Sequence, residues 1–392
     1  MWIGGTANIS FKVTRANGDQ PLPFPLDRNC HLLFSARYAL FHALAALGLG
    51  NGDRLLVPAY CCGTEIDPIL ARKINIQWYE LDESHRINIR QLKEQWREDI
   101  KGLLVTHYFG FNQLMSEIID FCREKKILLI EDCAHAFLSS AENGEPLGVI
   151  GDASIFSIRK SLPIPDGGAF CIKNMVSSTQ NLKLRRPNIY PVIFRVAELL
   201  EWNSTRSDSF KDQARSYSLK YVGKAIRRAK LVFNVLYKLT GAFDTCLYHI
   251  NAYDFLEEAV DWKVSHFSKK RLSNQDWEGI IKQRRNNFLF LLEKLNNLKI
   301  LKPLFNTLPM GTCPLFFPVL TKNREALQST LAAHGVDSHP WWGYFHPAIP
   351  WDSFPLAVRL KKNVLGFPIH QDLNETHMER IAWVLNSITN NH

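Results

Sequence analysis

From residue 31 to about residue 172 the chain alternates short apolar runs with longer stretches whose apolar residues recur at helical spacing. "SARYALFHALAALGLG" predicts a helix of small and apolar residues stopped by glycine, "DRLLVP" a short strand and "GTEIDPILARK" a second helix. "INIQWYEL", "GLLVTHYF" and "ILLIEDCAH" read as further strands, separated by the helical patterns "NIRQLKEQWRE" and "QLMSEIIDFCREKK". Repeated strand–helix–strand units with nearly continuous apolar strands predict an α/β fold with a large, mostly parallel sheet flanked by helices on both faces. Such sheets bind ligands beyond the carboxyl ends of their strands. The polar residues of interest fall there: Ser35, Ala36 and Arg37 open a helix, Tyr60, Cys61 and Cys62 follow a strand, and so do His107 and the run Asp132 to His135.

The rhythm breaks between residues 181 and 262 and resumes after 263 with a long helix, "DWEGIIKQRRNNFLFLLEKL", and a second set of short α/β elements. The expected organisation is an N-terminal segment (1–30), a large α/β domain (31–180), a basic helical insert (181–262), and a long helix with a smaller C-terminal α/β domain (263–392). At 392 residues more than one domain is expected, because single cores rarely grow past about 250–300 residues. Within the insert, residues 214–238 form a basic amphipathic pattern: Val222, Ile226, Ala229, Phe233 and Leu236 share one face, and Lys224, Arg227, Arg228 and Lys230 fall mostly elsewhere. That pattern suits packing on the protein itself or on a second subunit; an acidic membrane surface or a strongly anionic substrate are the other readings.

Composition adds little beyond this. Hydrophobic content of 46% and charged content of 22% describe an ordinary globular protein. The N-terminus lacks the basic and apolar regions of a secretion signal, and no apolar run is long enough to span a bilayer, so a cytoplasmic protein is expected. The net charge of +9 is concentrated: residues 181–250 hold 13 Lys and Arg against 5 Asp and Glu. Nucleic acid is not the expected partner, since no reading motif accompanies the basic segment. The eight cysteines show no metal-ligand spacing, and they read as reduced thiols.

Candidate chemistry centres on two stretches. Asp132 ends the apolar strand "ILLI", and a carboxylate delivered there needs a cationic partner or strong donors. Glu131 and Asp132 alternate across the strand, so they face opposite sides and cannot form a carboxylate pair. In "SIFSIRKSLPIPDGGAF" a buried strand is followed by Arg159-Lys160, and then two prolines and Asp166-Gly167-Gly168 exclude a helix and turn the chain back into the sheet. A lysine in such a partly apolar place can bond to an aldehyde, an aspartate can hold a pyridinium nitrogen and a helix start can bind a phosphate.

These blocks, "IEDCAHA", "GDASIFSIRKSLPIPDGGAFCIKN" and "GVDSHPWWGYFHP", in this order resemble the DegT/DnrJ/EryC1/StrS family. The resemblance covers about residues 30–175 well and 265–390 loosely. It implies the aspartate-aminotransferase-like fold type I, pyridoxal 5'-phosphate as cofactor, and transfer of an amino group from an amino acid, glutamate by expectation, to a keto-sugar that is often nucleotide-linked. It implies a homodimer, because such sites are shared between subunits. Catalytic roles then fall to Lys160 as the aldehyde-binding lysine, Asp132 at the pyridine nitrogen and His135 near the phenolic oxygen. Ser35, Ala36, Arg37 and Ser157 stand at the phosphate, and no metal is implied. Two departures are visible. The spacing from Ser157 to Lys160 is two residues shorter than is usual, and Cys62 replaces a ring-stacking aromatic, leaving Tyr60 or His107 as substitutes. Lys263 and His266 stand where a second subunit would reach the site. A sugar dehydratase of the same fold and a non-catalytic scaffold remain the alternatives.

Overall fold

The computed structural model describes residues 2–8, 23–26, 30–173, 182–202, 255–295 and 301–389, with isolated positions between 221 and 228. Most of the 214–238 amphipathic pattern therefore lies outside the described residues.

The larger sheet has seven strands: β1 (His31–Leu33), β2 (Arg54–Pro58), β3 (Asn75–Tyr79), β4 (Ile100–Thr106), β5 (Leu128–Asp132), β6 (Ala153–Ser157) and β7 (Gly168–Ile172). Their order across the sheet is β1-β7-β6-β5-β4-β2-β3. The five strands from β3 to β6 pair in parallel, and β7 and β1 add antiparallel at one side. Every residue of β6 is buried, as are the last four of β2 and β5, which is what strands covered on both faces require. The chain runs outward from β2 to β3 and then returns to place β4 on the other side of β2. A crevice at the carboxyl ends is the expected result. Pro58, Thr106, Asp132 and Ser157 are the last residues of β2, β4, β5 and β6 and share that edge.

Helix α1 (Ala36–Ala46) leaves β1 and buries Tyr38, Ala39, Leu40, Ala43 and Leu44 in the same apolar cluster as Leu55 and Val57 of β2 and Ile155 of β6. Its small residues let it lie close to the sheet. Helices α2 (Ile66–Ala71), α3 (Ile89–Glu94) and α4 (Met115–Lys125) follow as the sequence pattern predicts.

The second sheet is antiparallel, in the order β10-β11-β9-β8, from β8 (Lys302–Pro303), β9 (Phe317–Leu320), β10 (His339–Pro340) and β11 (Val364–Phe367). The helix Trp277–Leu295 connects the two sheets, and Arg284 on it acts as a staple. Only 3% exposed, Arg284 donates to the carbonyls of Leu315 (3.0 Å) and Ser161 (3.0 Å) and to Gln371 Oε1 (3.1 Å). The Ser161 carbonyl adjoins Lys160, so this buried cation ties the second sheet to the loop that carries the candidate lysine. The N-terminal segment packs on the C-terminal part as well: Ile3 bridges to Val336, and His370 Nε2 lies 3.0 Å from the Gly4 carbonyl.

One expectation about local structure is corrected here. Ile158–Ser161 is a single helical turn, α5, although the prolines were expected to exclude any helix. Pro163 and Pro165 come after that turn, so no interior amide is lost.

Candidate active site

Asp132 ends β5 at 5% exposure. Its Oδ1 accepts from the Ala134 amide at 2.9 Å, and its other oxygen makes no hydrogen bond among the described residues. Burial, helped by Glu65, pushes the carboxyl up to about 6, and Lys160 pulls in the opposite direction. This buried acid is therefore short of a cationic or donor partner. Glu131, one residue earlier, faces the other way and is fully engaged. Its oxygens accept from the amides of Gly148 (3.1 Å), Ile150 (2.9 Å) and Gly151 (2.6 Å) and from His107 Nε2 (3.0 Å). Burial raises its carboxyl, and these donors more than offset that and hold it below the usual range.

His135 is 3% exposed and its Nδ1 accepts from the Phe109 amide at 3.2 Å. Burial and then Lys160 push its pKa well below the ordinary histidine value, so the ring is neutral near pH 7 and Nε2 carries its one proton. The partner turn is held in place: Phe109 adopts a left-handed conformation (φ 57°), and its carbonyl accepts from Leu315.

Lys160 sits in α5, partly exposed. Its charge acts on Asp132, His135, Cys62 and His339, and its Nζ lies 5.9 Å from the Trp341 ring centre. The structure thus brings Lys160, Asp132 and His135 to one place.

The start of α1 lies beside them. Gly168 pairs with Ser157 across β7 and β6, and a Cβ on Gly168 would stand 2.2 Å from the Ser35 carbonyl carbon and 2.4 Å from the Ala36 nitrogen. Only glycine lets the strand approach the helix start this closely. Ser35 is extended and makes no side-chain cap, and its buried Oγ has no hydrogen-bond partner among the described residues. Ala36 and the buried Arg37 begin the helix, where backbone amides favour an anion. These features fit the pyridoxal phosphate expected from sequence: an acid short of a donor, a neutral histidine with an available proton, a lysine, and a helix start built by close approach.

The proposed substitutes for the ring-stacking aromatic are corrected. His107 is 0% exposed, with Nε2 on Glu131 and Nδ1 accepting from Gln113, so it does not face the cleft. Tyr60 is 1% exposed, donates to the Trp341 carbonyl at 2.9 Å and packs its ring 4.9 Å from Trp342. Cys62 does lie near Lys160, with Sγ at 2.9 Å from Thr64 Oγ1 and 3.0 Å from Glu65 Oε2; burial and Glu65 push its thiol up to about 12. Two tryptophans from the segment after β10 pack beside His135. Trp341 and Trp342 lie 4.8 and 5.5 Å from the His135 ring, and His339, which precedes them on β10, feels the charge of Lys160. Behind Trp342, buried Lys361 donates to the Cys61 carbonyl at 2.7 Å and sits 5.1–5.6 Å from the Trp351, Phe345 and Trp342 rings. The quoted "HPWW" was visible in the sequence, but nothing in its spacing points across more than 200 residues to His135.

Lys263 and His266 line a separate cavity of about 780 Å³ at the β1 edge, together with Cys30 and Arg186. Cys30 and Cys171 form a disulfide across β1 and β7, which corrects the reading of every cysteine as a reduced thiol. Edge pairing of two distant stretches brought them together (Cα–Cα 4.7 Å), and sequence spacing carries no sign of it. His107, Glu131 and Cys133 gather three ligand-type atoms, but the hydrogen bonds to Glu131 account for that cluster.

Residues 27–190 match the model of the DegT/DnrJ/EryC1/StrS aminotransferase family. Through that region the chain is similar to this family. Family members are pyridoxal phosphate-dependent aminotransferases. GDP-perosamine synthase of Vibrio cholerae is 27% identical over 154 residues, covering 38% of this chain and 42% of that protein. Protein MosB of Rhizobium meliloti is 36% identical over 138 residues, 34% of this chain and 27% of MosB. A dTDP-4-dehydro-2,3,6-trideoxy-D-glucose 4-aminotransferase of Saccharopolyspora spinosa is 31% identical over 141 residues, 35% of this chain and 36% of that enzyme. Each match spans less than half the relative's length. The fold likeness is broader. The putative sugar aminotransferase Spr1654 of Streptococcus pneumoniae in its PLP-form aligns with a TM-score of 0.64 at 14% identity, over 92% of this chain and 87% of that one. A DegT DnrJ EryC1 StrS aminotransferase from Brucella abortus aligns at 0.62 and 16% identity, over 92% and 86%. The fold type I architecture expected from sequence is the one found.

Proposed function

We propose that this chain is a pyridoxal phosphate-dependent aminotransferase that moves an amino group from an amino acid, glutamate by preference, to a keto-sugar. The observation that carries the reading is the convergence of Lys160, Asp132 and His135 at the carboxyl edge of the large sheet, beside a helix start made accessible by Gly168. When bound, the cofactor supplies an electron sink that makes a proton on the amino acid Cα removable. Asp132 would hold the pyridine nitrogen protonated, because an ionised carboxylate in a buried place gains most from a cationic partner. His135 would offer its Nε2 proton to the phenolic oxygen. Lys160 Nζ would hold the aldehyde, and as a free neutral amine it would move the proton at the amino acid Cα as general base. Trp341 and Trp342 wall the cleft and exclude water. The sugar substrate rests on the relatives' names, which include a perosamine synthase and a deoxyhexose 4-aminotransferase. Lys160 set against Asp132 and His135 favours transamination over a scaffold role, because a scaffold needs no such base. A homodimer and the domain limits given above complete the proposal; among the described residues no helix is long and apolar enough to cross a membrane.

The test is a spectrum of the purified protein with pyridoxal phosphate, before and after glutamate, followed by borohydride reduction and peptide mapping. Expected are a new visible band that glutamate bleaches and a reduced adduct on Lys160, both lost in Lys160→Ala. A colourless protein, or an adduct on another lysine, overturns the reading.

A further inference from the structure

Three arginines from separate parts of the chain come within electrostatic reach of one another near the start of α1. Arg37 is in its first turn and is 9% exposed. Arg159 immediately precedes Lys160, and its amide donates to the Gly167 carbonyl while the Gly167 amide donates to Phe34, so α5 is joined directly to the chain that enters α1. Arg195 comes from α6 (Ile189–Trp202), part of the basic segment after the large domain. This helix docks through Val192, which is buried in the apolar cluster that contains Leu33, Phe34 and Tyr38. The Arg159 and Arg195 side chains make no hydrogen bond or ion pair among the described residues. Glu198 and the buried Asp166 are the carboxylates that act on the group. Asp166 is itself engaged, accepting from the Ser265 amide at 2.8 Å.

Arg37, Arg159 and Arg195 bring like charges within electrostatic reach of one another, and the helix start adds about half a positive charge more. Burial and mutual repulsion push Arg159 down to about 9 and lower Arg195 as well, so the cluster is under electrostatic strain that a nearby anion relieves. Planar guanidinium groups match the oxygens of a phosphate.

We infer that Arg37, Arg159 and Arg195 form a clamp for the phosphate monoester of the cofactor, so that the helix after the large domain completes this phosphate site from within the same chain. The inference rests on the reading of the cleft as a pyridoxal phosphate site. It gives the short Ser157–Lys160 connection a consequence: the turn that brings Lys160 close also brings Arg159 to the helix start.

The clamp is tested by titrating the ligand-free protein with pyridoxal phosphate and with pyridoxal, which has the aldehyde but no phosphate. Arg159→Gln and Arg195→Gln are each expected to weaken pyridoxal phosphate binding by about 10- to 100-fold while leaving pyridoxal binding unchanged. Pyridoxal binding also shows that each variant is folded, and Arg195→Lys recovers part of the loss. Equal losses for both ligands, or no loss for either, overturn the clamp while wild-type binding through Lys160 leaves the wider reading intact. A wild-type protein that binds neither ligand overturns both. A second arm separates cofactor from substrate. Inorganic phosphate at constant ionic strength is expected to raise the melting midpoint of the ligand-free protein but not of the protein loaded with pyridoxal phosphate. An equal rise in the loaded protein assigns the arginines to a phosphate on the substrate and overturns the cofactor clamp.

Discussion

The Phe109 amide donates to His135 Nδ1 at 3.2 Å, and that one bond sets which nitrogen of His135 faces the cleft with a proton. Because Phe109 is left-handed at the end of the β4 turn, its amide points at the ring instead of continuing a strand. A glutamine can reproduce the arrangement, accepting with its oxygen and donating with its nitrogen. His135→Gln is therefore expected to keep most cofactor affinity. His135→Leu leaves the Phe109 amide buried and unpaired at a cost of about 1–3 kcal/mol, read as a lower urea midpoint. Equal stability of the two variants contradicts this account.

Asp132 predicts opposite effects on stability and binding. Its folded pKa of about 6 lies above the ordinary 3.8, so the folded state binds this proton more tightly than the unfolded state does. The resulting stability is fully present below the unfolded value and is lost as pH rises to the folded value, by up to about 3 kcal/mol. Asp132→Asn escapes that loss. The ligand-free variant is expected to be the more stable protein above pH 6, with the advantage shrinking toward pH 4, and to bind pyridoxal phosphate far more weakly. Urea unfolding of both proteins across this range is the check, and a pH-independent difference contradicts it.

Gly168→Ala places a methyl group against the backbone of Ser35 and Ala36. Backbone cannot rotate away as a side chain can, so about 1–3 kcal/mol of stability is expected to be lost. Cofactor affinity is expected to fall with it, measured by titration; unchanged affinity separates Gly168 from the phosphate site.

The Cys30–Cys171 bridge closes a loop with a sequence separation of 141. Cys171→Ser, or reduction with dithiothreitol, is expected to lower stability by about 2–4 kcal/mol. Denaturant midpoints with and without reductant test this, and identical midpoints show that the bridge does not form in solution.

Trp341 lies 5.9 Å from Lys160 Nζ, close enough for a chromophore on that lysine to quench its emission. Titration with pyridoxal phosphate is expected to quench tryptophan fluorescence, and Trp341→Phe to remove much of the change. An undiminished change in the variant places the cofactor elsewhere.

The large sheet was legible because β2, β4, β5 and β6 are largely buried on both faces, and that burial writes nearly continuous apolar runs. Strand β1 was missed: it has three residues, begins with His31, and exists because β7 offers it an edge. The α5 turn is not legible from the prolines, because Pro163 and Pro165 follow it and the turn is already complete at Ser161.

Asp132 and Lys160 could be singled out from the chain alone, since each follows an apolar strand that can only end at the ligand-binding edge. Periodicity carries that information within a few residues. The sequence could not show that His107 belongs to Glu131, that Cys30 meets Cys171, or that Trp341 and Trp342 pack beside His135. Nor could it show Arg37, Arg159 and Arg195 gathered at one helix start. Those are long-range pairings, decided by how the two sheets and α6 pack against α1. A contact between residues far apart in the chain leaves no pattern in either of them.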